Sequence, residues 1–298
     1  MEKIMKMLKK LIRKIYPATK LEMDAVFRNQ EFLKRSIINT TPMPLIHFSI
    51  HLTEHCNLNC CGCSHFCNLH KEPEFLDLKE FERDFARLSE LFHGEAEYIH
   101  LMGGEPLLHP QITDMFPIAR KSFPHADLKI LTNGILLPKM QDSFWNACRE
   151  NNIIITPSQF PIKVDYREVQ RKAEHFGVRC LLVWEKSEFR KDVLDLDGFH
   201  DPLTNFLKCT HPNNCTFFSH GRFCTCNIPL NIGNFNTFFH KNLRLSEQDY
   251  IDIYKAKSGQ EILSFLTKPI PFCRYCALEK WERGLAWKVS KQEISEWI

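Results

Sequence analysis

Residues 45–63 read LIHFSIHLTEHCNLNCCGC, an apolar stretch that runs directly into a group of cysteines. The apolar part has the length and side-chain alternation of a β-strand, and the chain beyond it alternates short apolar stretches with amphipathic ones. This pattern predicts strands at Leu45–Leu52, Tyr98–Met102, Asp127–Leu131, Asn152–Thr156 and Val178–Trp184, and helices at Lys79–Phe92, Gln111–Phe123, Pro138–Glu150 and Arg167–Phe176. Five strand–helix alternations predict an α/β fold with a parallel sheet, either open or curled into a barrel.

The residues that follow the predicted strands are unusual. The cysteines follow the first strand, Gly103-Gly104-Glu105-Pro106 follows the second, and Thr132-Asn133-Gly134 follows the third. In parallel sheets, ligands bind at the carboxyl ends of the strands. The sequence therefore predicts one site at that edge of the sheet.

Composition narrows the class of protein. The chain has 298 residues, 44% hydrophobic and 25% charged, with a net charge of +3. It has no apolar run of about 18 residues, which a membrane-spanning helix needs. The charge is too small to indicate a nucleic-acid partner by itself. The 13 cysteines are an odd number and follow no signal peptide, so we expect a cytoplasmic protein whose cysteines bind metal or iron–sulfur clusters.

The cysteines fall into groups. The first cysteine group is Cys56, Cys60, Cys61, Cys63 and Cys67, and the second is Cys209, Cys215, Cys224, Cys226, Cys273 and Cys276. Cys148 and Cys180 stand alone in helix-like and strand-like patterns, which is typical of small buried hydrophobic residues. Thiols as dense as those of the two groups are expected to bind a metal.

Cys56-x-x-x-Cys60-x-x-Cys63 can hold three corners of a cubane cluster and leave one iron open to another ligand. The loop His55-Cys56-Asn57-Leu58-Asn59-Cys60-Cys61-Gly62-Cys63, together with the Gly103–Pro106 turn, resembles the radical S-adenosylmethionine (SAM) superfamily over about residues 45–190. The resemblance implies a partial (β/α)6 TIM-like barrel. It also implies that Cys56, Cys60 and Cys63 bind a 4Fe–4S cluster whose open iron chelates SAM, so that reduction releases a 5′-deoxyadenosyl radical that abstracts hydrogen from the substrate.

The resemblance extends to further site residues. Gly103 and Gly104 allow the backbone to approach the methionine part of SAM, Glu105 offers a carboxylate to its ammonium, and Pro106 completes the turn. Asn133 and Ser158 are weaker candidates for ribose or substrate contacts, since each also suits a turn.

Two features of the first group depart from the family pattern. The residue before the last ligand is commonly aromatic, whereas here it is Gly62. Cys61 and Cys67 are additional thiols, and Cys67 with the other three cysteines could instead form a closed zinc site.

The second group resembles the SPASM extension in its shortened twitch form, which binds one auxiliary 4Fe–4S cluster. The resemblance implies the ligands Cys209, Cys226, Cys273 and Cys276, with Cys215 as the alternate to Cys209. Thr216–Ser219 and Arg222–Cys226 predict a β-hairpin, in which Cys224 should point away from Cys226. Helices are predicted from Ser246 to about Lys257 and over Gln260–Thr267. A structural zinc ribbon is the alternative interpretation of the four cysteines.

These features divide the chain into residues 1–44, 45–204 and 205–298: a lead-in, a barrel core and an auxiliary-cluster domain. The lead-in contains a basic amphipathic helix over Glu2–Tyr16. Residues 1–16 therefore either contact a membrane surface peripherally or present a solvated basic face.

The resemblance also bears on function. An auxiliary cluster held by four thiolates has no open iron, which favours net oxidation of a small polar substrate such as a sugar or cyclitol alcohol. The alternatives are a radical SAM enzyme that modifies a peptide, and a non-catalytic zinc or iron–sulfur scaffold. The expected partners are SAM, the substrate and an electron donor such as flavodoxin or ferredoxin, with no nucleic acid. No residue is assigned as a catalytic acid or base.

Overall fold

The computed structural model describes residues 20–40, 45, 47–70, 72–182, 184–185 and 188–298. The basic helix expected at Glu2–Tyr16 lies outside these residues. All 13 cysteines are free thiols.

One large sheet organises the described chain. Its order is β5-β4-β3-β2-β1-β7-β8-β9, and β6 pairs separately with β10. The strands are β1 (His47–His51), β2 (Tyr98–Met102), β3 (Asp127–Thr132), β4 (Ile153–Gln159), β5 (Trp184–Glu185), β6 (Glu188–Lys191), β7 (Phe217–Ser219), β8 (Arg222–Cys224), β9 (Ile251–Asp252) and β10 (Glu282–Ala286). Strands β1 to β5 pair in parallel, which confirms the predicted α/β fold with a parallel sheet.

Helices connect or follow these strands. They are α1 (Lys20–Thr40), α2 (Leu78–Phe92), α3 (Ile112–Ser122), α4 (Asp142–Glu150), α5 (Tyr166–Phe176), α6 (Pro202–Lys208), α7 (Asn227–Phe239) and α8 (Gly259–Leu266). The four helices predicted between residues 79 and 176 are therefore present with small shifts of their ends. None of the described helices has a stretch that is both long and apolar enough to cross a lipid bilayer.

The two faces of the sheet differ in polarity. In β1, Phe48 and Ile50 lie in the main hydrophobic core, which also contains buried residues of α2, such as Phe81 and Phe85. Alternation along a strand places His47, Ser49 and His51 on the opposite face. Burial of each large apolar side chain contributes roughly 1.5–3 kcal/mol, so the apolar face fixes which face of β1 is polar.

The sheet continues across residue 204. β7 pairs in parallel with β1, through Ser49 opposite Phe217 and Ile50 opposite Phe218. β7 and β8 form the predicted antiparallel hairpin. The division into domains at 204/205 stays a prediction, and the hairpin beyond it belongs to the main sheet.

The helix predicted from Ser246 to about Lys257 is wrong. This segment contains the short strand β9 and turns. The Asp249 carboxylate accepts hydrogen bonds from the Ser246 backbone N–H and hydroxyl, each at 2.7 Å, and from the Phe272 N–H at 2.6 Å. Asp249 thus ties this segment to the Cys273 region. Helices α1, α6 and α7 were not predicted.

Candidate functional site

The first cysteine group lies in the loop that follows β1, at the carboxyl edge of the parallel sheet. Cys56, Cys60, Cys63 and Cys67 all line one cavity of about 310 Å³. Cys60 is buried, whereas Cys56 and Cys63 are half-buried. The three sulfurs with the predicted spacing therefore face a common space.

These thiols influence one another electrostatically. Burial, together with the nearby thiols of Cys63 and Cys60, raises the pKa of Cys56 to about 12. Burial also raises the pKa of Cys60 to about 12, against a hydrogen bond from the Trp287 indole at 3.2 Å. Three thiolates packed this closely repel one another unless a cation lies between them, and soft sulfur ligands suit iron. The donor set thus fits a cluster held by three cysteines.

Cys67 lies beside Cys63, and the hydrogen bond between the two thiols lowers the pKa of Cys63. The Cys67 sulfur also lies within 4.8 Å of ligand atoms of His51 and Glu54, a group of metal-ligating residue types. The closed zinc site that includes Cys67 stays a prediction.

A buried hydrogen-bonded chain that the sequence analysis missed supports this side of the loop. His51 Nδ1 contacts Glu54 Oε1 at 2.7 Å, and His51 Nε2 contacts His65 Nδ1 at 2.8 Å. Both ring nitrogens of His51 are thus occupied. The alternation of β1 was a usable signal, because it places His51 on the polar face next to the cysteine loop.

Cys61 does not share the cavity of the other cysteines. It lines a separate cavity of about 290 Å³ with Lys288 and Glu296. Cys61 therefore faces a different cavity from Cys56, Cys60 and Cys63, although its thiol contributes to the raised pKa of Cys60.

The Gly-Gly-Glu-Pro turn is hydrogen-bonded to the cysteine loop. Gly104 N–H donates to the Thr53 carbonyl and Glu105 N–H to the His55 carbonyl, both at 2.8 Å. A Cβ on Gly104 would lie 2.1 Å from the His55 oxygen, and one on Gly103 would lie 2.4 Å from the Thr53 oxygen. Only glycine allows this approach, so the two loops form one unit.

Glu105 and Pro106 are buried and lie outside the cavity lining. The Glu105 carboxylate accepts hydrogen bonds from the Thr132 hydroxyl at 2.6 Å, Asn133 N–H at 2.8 Å and Leu107 N–H at 3.1 Å. Burial nevertheless raises the pKa of Glu105 to about 7. In the structure, Glu105 connects the ends of β2 and β3.

Gly103, Gly104, Asn133 and Ser158 all line the cavity with the cysteines. The Asn133 amide donates to Asn57 Oδ1 at 2.7 Å and lies 4.0 Å from the Cys56 sulfur. The structure therefore brings four of the six predicted SAM-binding residues to the first cysteine group.

The second cysteine group also converges. Its four predicted ligands are Cys209, Cys226, Cys273 and Cys276. A hydrogen bond with Cys224 and burial raise the pKa of Cys226, and Cys276 and Cys209 add to this shift. Burial raises the pKa of Cys276, and Cys273 and Cys209 add to it, which indicates that the four thiols are close. Burial raises the pKa of Cys209 to about 11 and that of Cys273 to about 12. Buried thiols that must ionise together suit iron or zinc.

The prediction for Cys224 is wrong. Its thiol hydrogen-bonds with that of Cys226 and also influences Cys273 and Cys276. Side chains two residues apart in an extended chain lie on the same face, and Cys226 is still extended where β8 has ended at Cys224, so the alternation brings the two thiols together rather than apart.

The alternate residue Cys215 lies near Arg190 and Asp192 as well as Cys209. Cys209, in contrast, contributes to the raised pKa of Cys226, Cys273 and Cys276. The arrangement favours Cys209 as the fourth ligand.

Asn205 holds the Cys273-x-x-Cys276 turn. Its side-chain amide donates to the carbonyl of Cys273 at 2.8 Å and to that of Cys276 at 2.6 Å. Asn205 lies in α6, next to Cys209. One side chain thus connects the two distant parts of the second group.

Among the described residues, Arg190 is the charged residue that lines the cavity of the first cysteine group, which we call the main cavity. Its guanidinium pairs with the buried carboxylate of Asp192 and contacts the buried His211 ring. It also lies over the Trp281 ring, 5.2 Å from the centroid. The Arg190–Asp192 ion pair lies between the main cavity and the second cysteine group. Arg190 lines the cavity, and the charges of both residues shift the pKa of Cys209.

The part of the chain that contains the first cysteine group is similar to a known family. Residues 50–158 match the family model of the Radical SAM superfamily. The chain is 33% identical over 170 residues to molybdenum cofactor biosynthesis protein 1 of Bos taurus, covering 55% of this chain and 26% of that protein. It is 25% identical over 267 residues to GTP 3′,8-cyclase of Aquifex aeolicus, covering 80% of each.

The fold is similar to that of BtrN, solved in complex with AdoMet and 2-DOIA. The TM-score is 0.50 at 17% identity, over 80% of this chain and 94% of that one. The chain thus spans about a quarter of the bovine relative but most of BtrN.

Proposed function

We propose that this chain is a radical SAM enzyme that dehydrogenates an alcohol on a small polar substrate such as a sugar or cyclitol, since residues 50–158 match the Radical SAM superfamily. Cys56, Cys60 and Cys63 would hold the 4Fe–4S cluster that chelates SAM. When bound, this pair supplies the electron and the radical chemistry that remove a hydrogen atom from the substrate. Gly103, Gly104, Asn133 and Ser158 would surround SAM.

The observation that carries this proposal is the convergence of the second cysteine group. Oxidation of an alcohol to a ketone removes a hydrogen atom, a proton and an electron, so the electron needs an acceptor. Thiolates from Cys209, Cys226, Cys273 and Cys276 would give each of the four irons of an auxiliary cluster a protein ligand. Such a cluster has no open iron for a substrate, which suits electron transfer.

The cavity supports a small polar substrate. Its wall carries Arg190, whose charge is balanced by the buried Asp192 carboxylate. A neutral pair with remaining guanidinium N–H groups recognises hydroxyl groups without requiring a charged ligand.

The division into a core (45–204) and an auxiliary-cluster domain (205–298), and a flavodoxin or ferredoxin as electron donor, are further parts of this proposal. The continuous sheet supports a fixed relation between the two parts, since β7 pairs with β1.

The test uses anaerobically reconstituted protein with dithionite, SAM and a panel of aminocyclitols and sugars. We expect a product 2 Da lighter than its substrate, trapped as a carbonyl derivative. Cys60→Ala should abolish SAM cleavage, whereas Cys276→Ala should retain SAM cleavage and lose the ketone. Cys148→Ala is the matched control, because Cys148 is a buried core thiol away from both groups.

Other results would replace this proposal. Turnover of a peptide would favour a peptide-modifying enzyme, and consumption of GTP would favour the reaction named for the Aquifex aeolicus relative. Colourless protein that contains zinc and does not cleave SAM would favour a scaffold.

A further inference from the structure

The C-terminal segment, residues 287–297, pairs with the first cysteine loop. Cys61 N–H donates to the Lys288 carbonyl at 3.0 Å, and Ser290 N–H donates to the Asn59 carbonyl at 2.9 Å. An antiparallel bridge joins Cys60 and Val289 between these bonds. The loop therefore has a β-like partner from the far end of the chain.

The end of this segment makes a second set of contacts. Glu296 Oε2 accepts a hydrogen bond from Gly62 N–H at 3.3 Å, and the Trp297 indole donates to the Cys63 carbonyl at 3.0 Å. Trp297 is only 1% exposed, so this anchor is part of a hydrophobic core. The loop is thus held at Cys60–Cys61 and again at Gly62–Cys63.

These contacts explain the glycine at position 62. Its φ of 65° is in the left-handed region, and a Cβ there would lie 3.2 Å from the Glu296 carbonyl. A side chain at this position would push against the C-terminal segment. The loop therefore has no room for the aromatic residue that the family commonly carries before its last cysteine.

The segment brings its own aromatic residue to the loop. The Trp287 indole N–H donates to the Cys60 sulfur at 3.2 Å, across 227 positions of sequence. Its ring centroid lies 6.2 Å from that of Phe160, which lines the main cavity with Phe189. Trp287 thus lies at the boundary between Cys60 and the cavity wall.

We propose that Trp287 is a positioning residue that raises the reduction potential of the cluster held by Cys60, through its indole N–H···S hydrogen bond. A reduced cluster carries one more negative charge than an oxidised one, and this charge is shared by the ligand sulfurs. A hydrogen-bond donor to sulfur therefore stabilises the reduced form more than the oxidised form. Trp287 makes the first cluster easier to reduce.

This inference rests on the part of the proposed function that assigns Cys60 as a cluster ligand, and it is independent of the substrate. The potential is measured without substrate. Failure to oxidise an alcohol would not contradict the inference about Trp287. A reconstituted protein without iron would refute the assignment of Cys60 as a cluster ligand.

The experiment compares Trp287→Phe with Trp281→Phe in the full reconstituted chain. Trp281 is a matched control, because its indole donates to the Val193 carbonyl at 3.2 Å rather than to a cysteine sulfur. Iron content and the potential are measured by anaerobic titration followed by electron paramagnetic resonance. The signal that SAM perturbs identifies the first cluster.

We expect Trp287→Phe to keep its iron and to shift the reduction equilibrium about tenfold towards the oxidised form, which is about 59 mV for one electron. Trp281→Phe should match the wild type. An unchanged potential in iron-replete Trp287→Phe, or an equal shift in both variants, would overturn the proposal.

A second variant tests the proposal if Trp287→Phe loses its iron. Trp287→His keeps a ring N–H in a smaller side chain. If only Trp287→His retains iron and has a reduction potential close to that of the wild type, the result would support the role of the hydrogen bond. Equal loss of iron from both variants would overturn it, because the residue would then act only by filling space.

Discussion

Gly104→Ala is the substitution that tests most directly how the site is built. A Cβ at residue 104 would lie 2.1 Å from the His55 carbonyl oxygen, 2.4 Å from the His55 carbonyl carbon and 2.8 Å from the Cys56 nitrogen. These are backbone atoms of the first cysteine loop, so no side-chain rotation can relieve the contact. The two loops have to separate.

The size of this separation follows from the structure. Ordinary van der Waals contact of a Cβ begins at 3.4 Å, so the contact at 2.1 Å requires a displacement of more than 1 Å. Overpacking of this kind costs roughly 1–3 kcal/mol. A misplacement of about 1 Å at a reacting centre can lower the rate about 100-fold. We therefore expect a large loss of SAM cleavage and a moderate loss of stability.

Gly233→Ala is the matched control. Gly233 is an exposed residue inside α7, and a Cβ there would meet nothing within 4 Å. Alanine in a helix is favoured over glycine by roughly 0.5–1 kcal/mol, so this variant should be slightly more stable than the wild type.

The assay measures iron content, the melting temperature and the rate of SAM cleavage under dithionite for both variants. Gly104→Ala should cleave SAM about 100-fold more slowly, and Gly233→Ala should cleave it at the wild-type rate. Wild-type cleavage and stability in Gly104→Ala would refute the close approach of the two loops as the basis of the site.

Two further predictions concern buried ionisable groups. Cys209→Ser should lose about half of the bound iron, and Cys215→Ser should keep all of it. The reason is that Cys209 lies close enough to Cys276 to raise its pKa. Equal iron content in the two variants would contradict the ligand assignment. Since burial raises the pKa of Glu105 to about 7, its protonated form stabilises the fold below pH about 4.5, and this contribution of about 3 kcal/mol is lost as the pH rises to about 7. Thermal unfolding across this range should show a smaller decrease in Glu105→Gln, and an unchanged pH dependence would contradict this origin.

The sequence was sufficient for the features that depend on local patterns. Alternating apolar residues located β1 to β4, and the spacing of three cysteines within eight residues located the loop after β1. It failed where a distant partner decides the structure. Asp249 resembles a helix-capping residue, but the backbone of Phe272 recruits its carboxylate, and the expected helix does not form.

Helix α7, in contrast, is present in the structure but was not predicted. Its sequence, NIPLNIGNFNTFF, is rich in residues of low helix propensity and includes a proline and a glycine. Ile228, Ile232 and Phe235 recur at helical spacing and are buried. This periodicity was a usable signal, and tertiary packing of that face overrides the weak propensity.

The least predictable part of the site is the C-terminal segment. No pattern in the sequence relates Trp287 to Cys60 or Trp297 to Cys63, because 227 and 234 residues separate the partners. Only Gly62 gave a hint, as a departure from the family pattern. The contacts of Glu296 explain that departure.

The pairing of β7 with β1 gives the two cysteine groups a fixed relation. The first group lies in the loop after β1, and Cys209 and Cys215 lie in the segment that leads from α6 into β7. Phe218 of β7 and Phe223 of β8 pack on Phe48 of β1, with ring centroids 6.0 Å and 5.6 Å apart. These rings are fully buried, so separating the strands would expose part of the main core. In the proposed oxidation, a substrate bound beside the first group passes its electron to the second group, which needs a constant distance, and here the hydrophobic core maintains it.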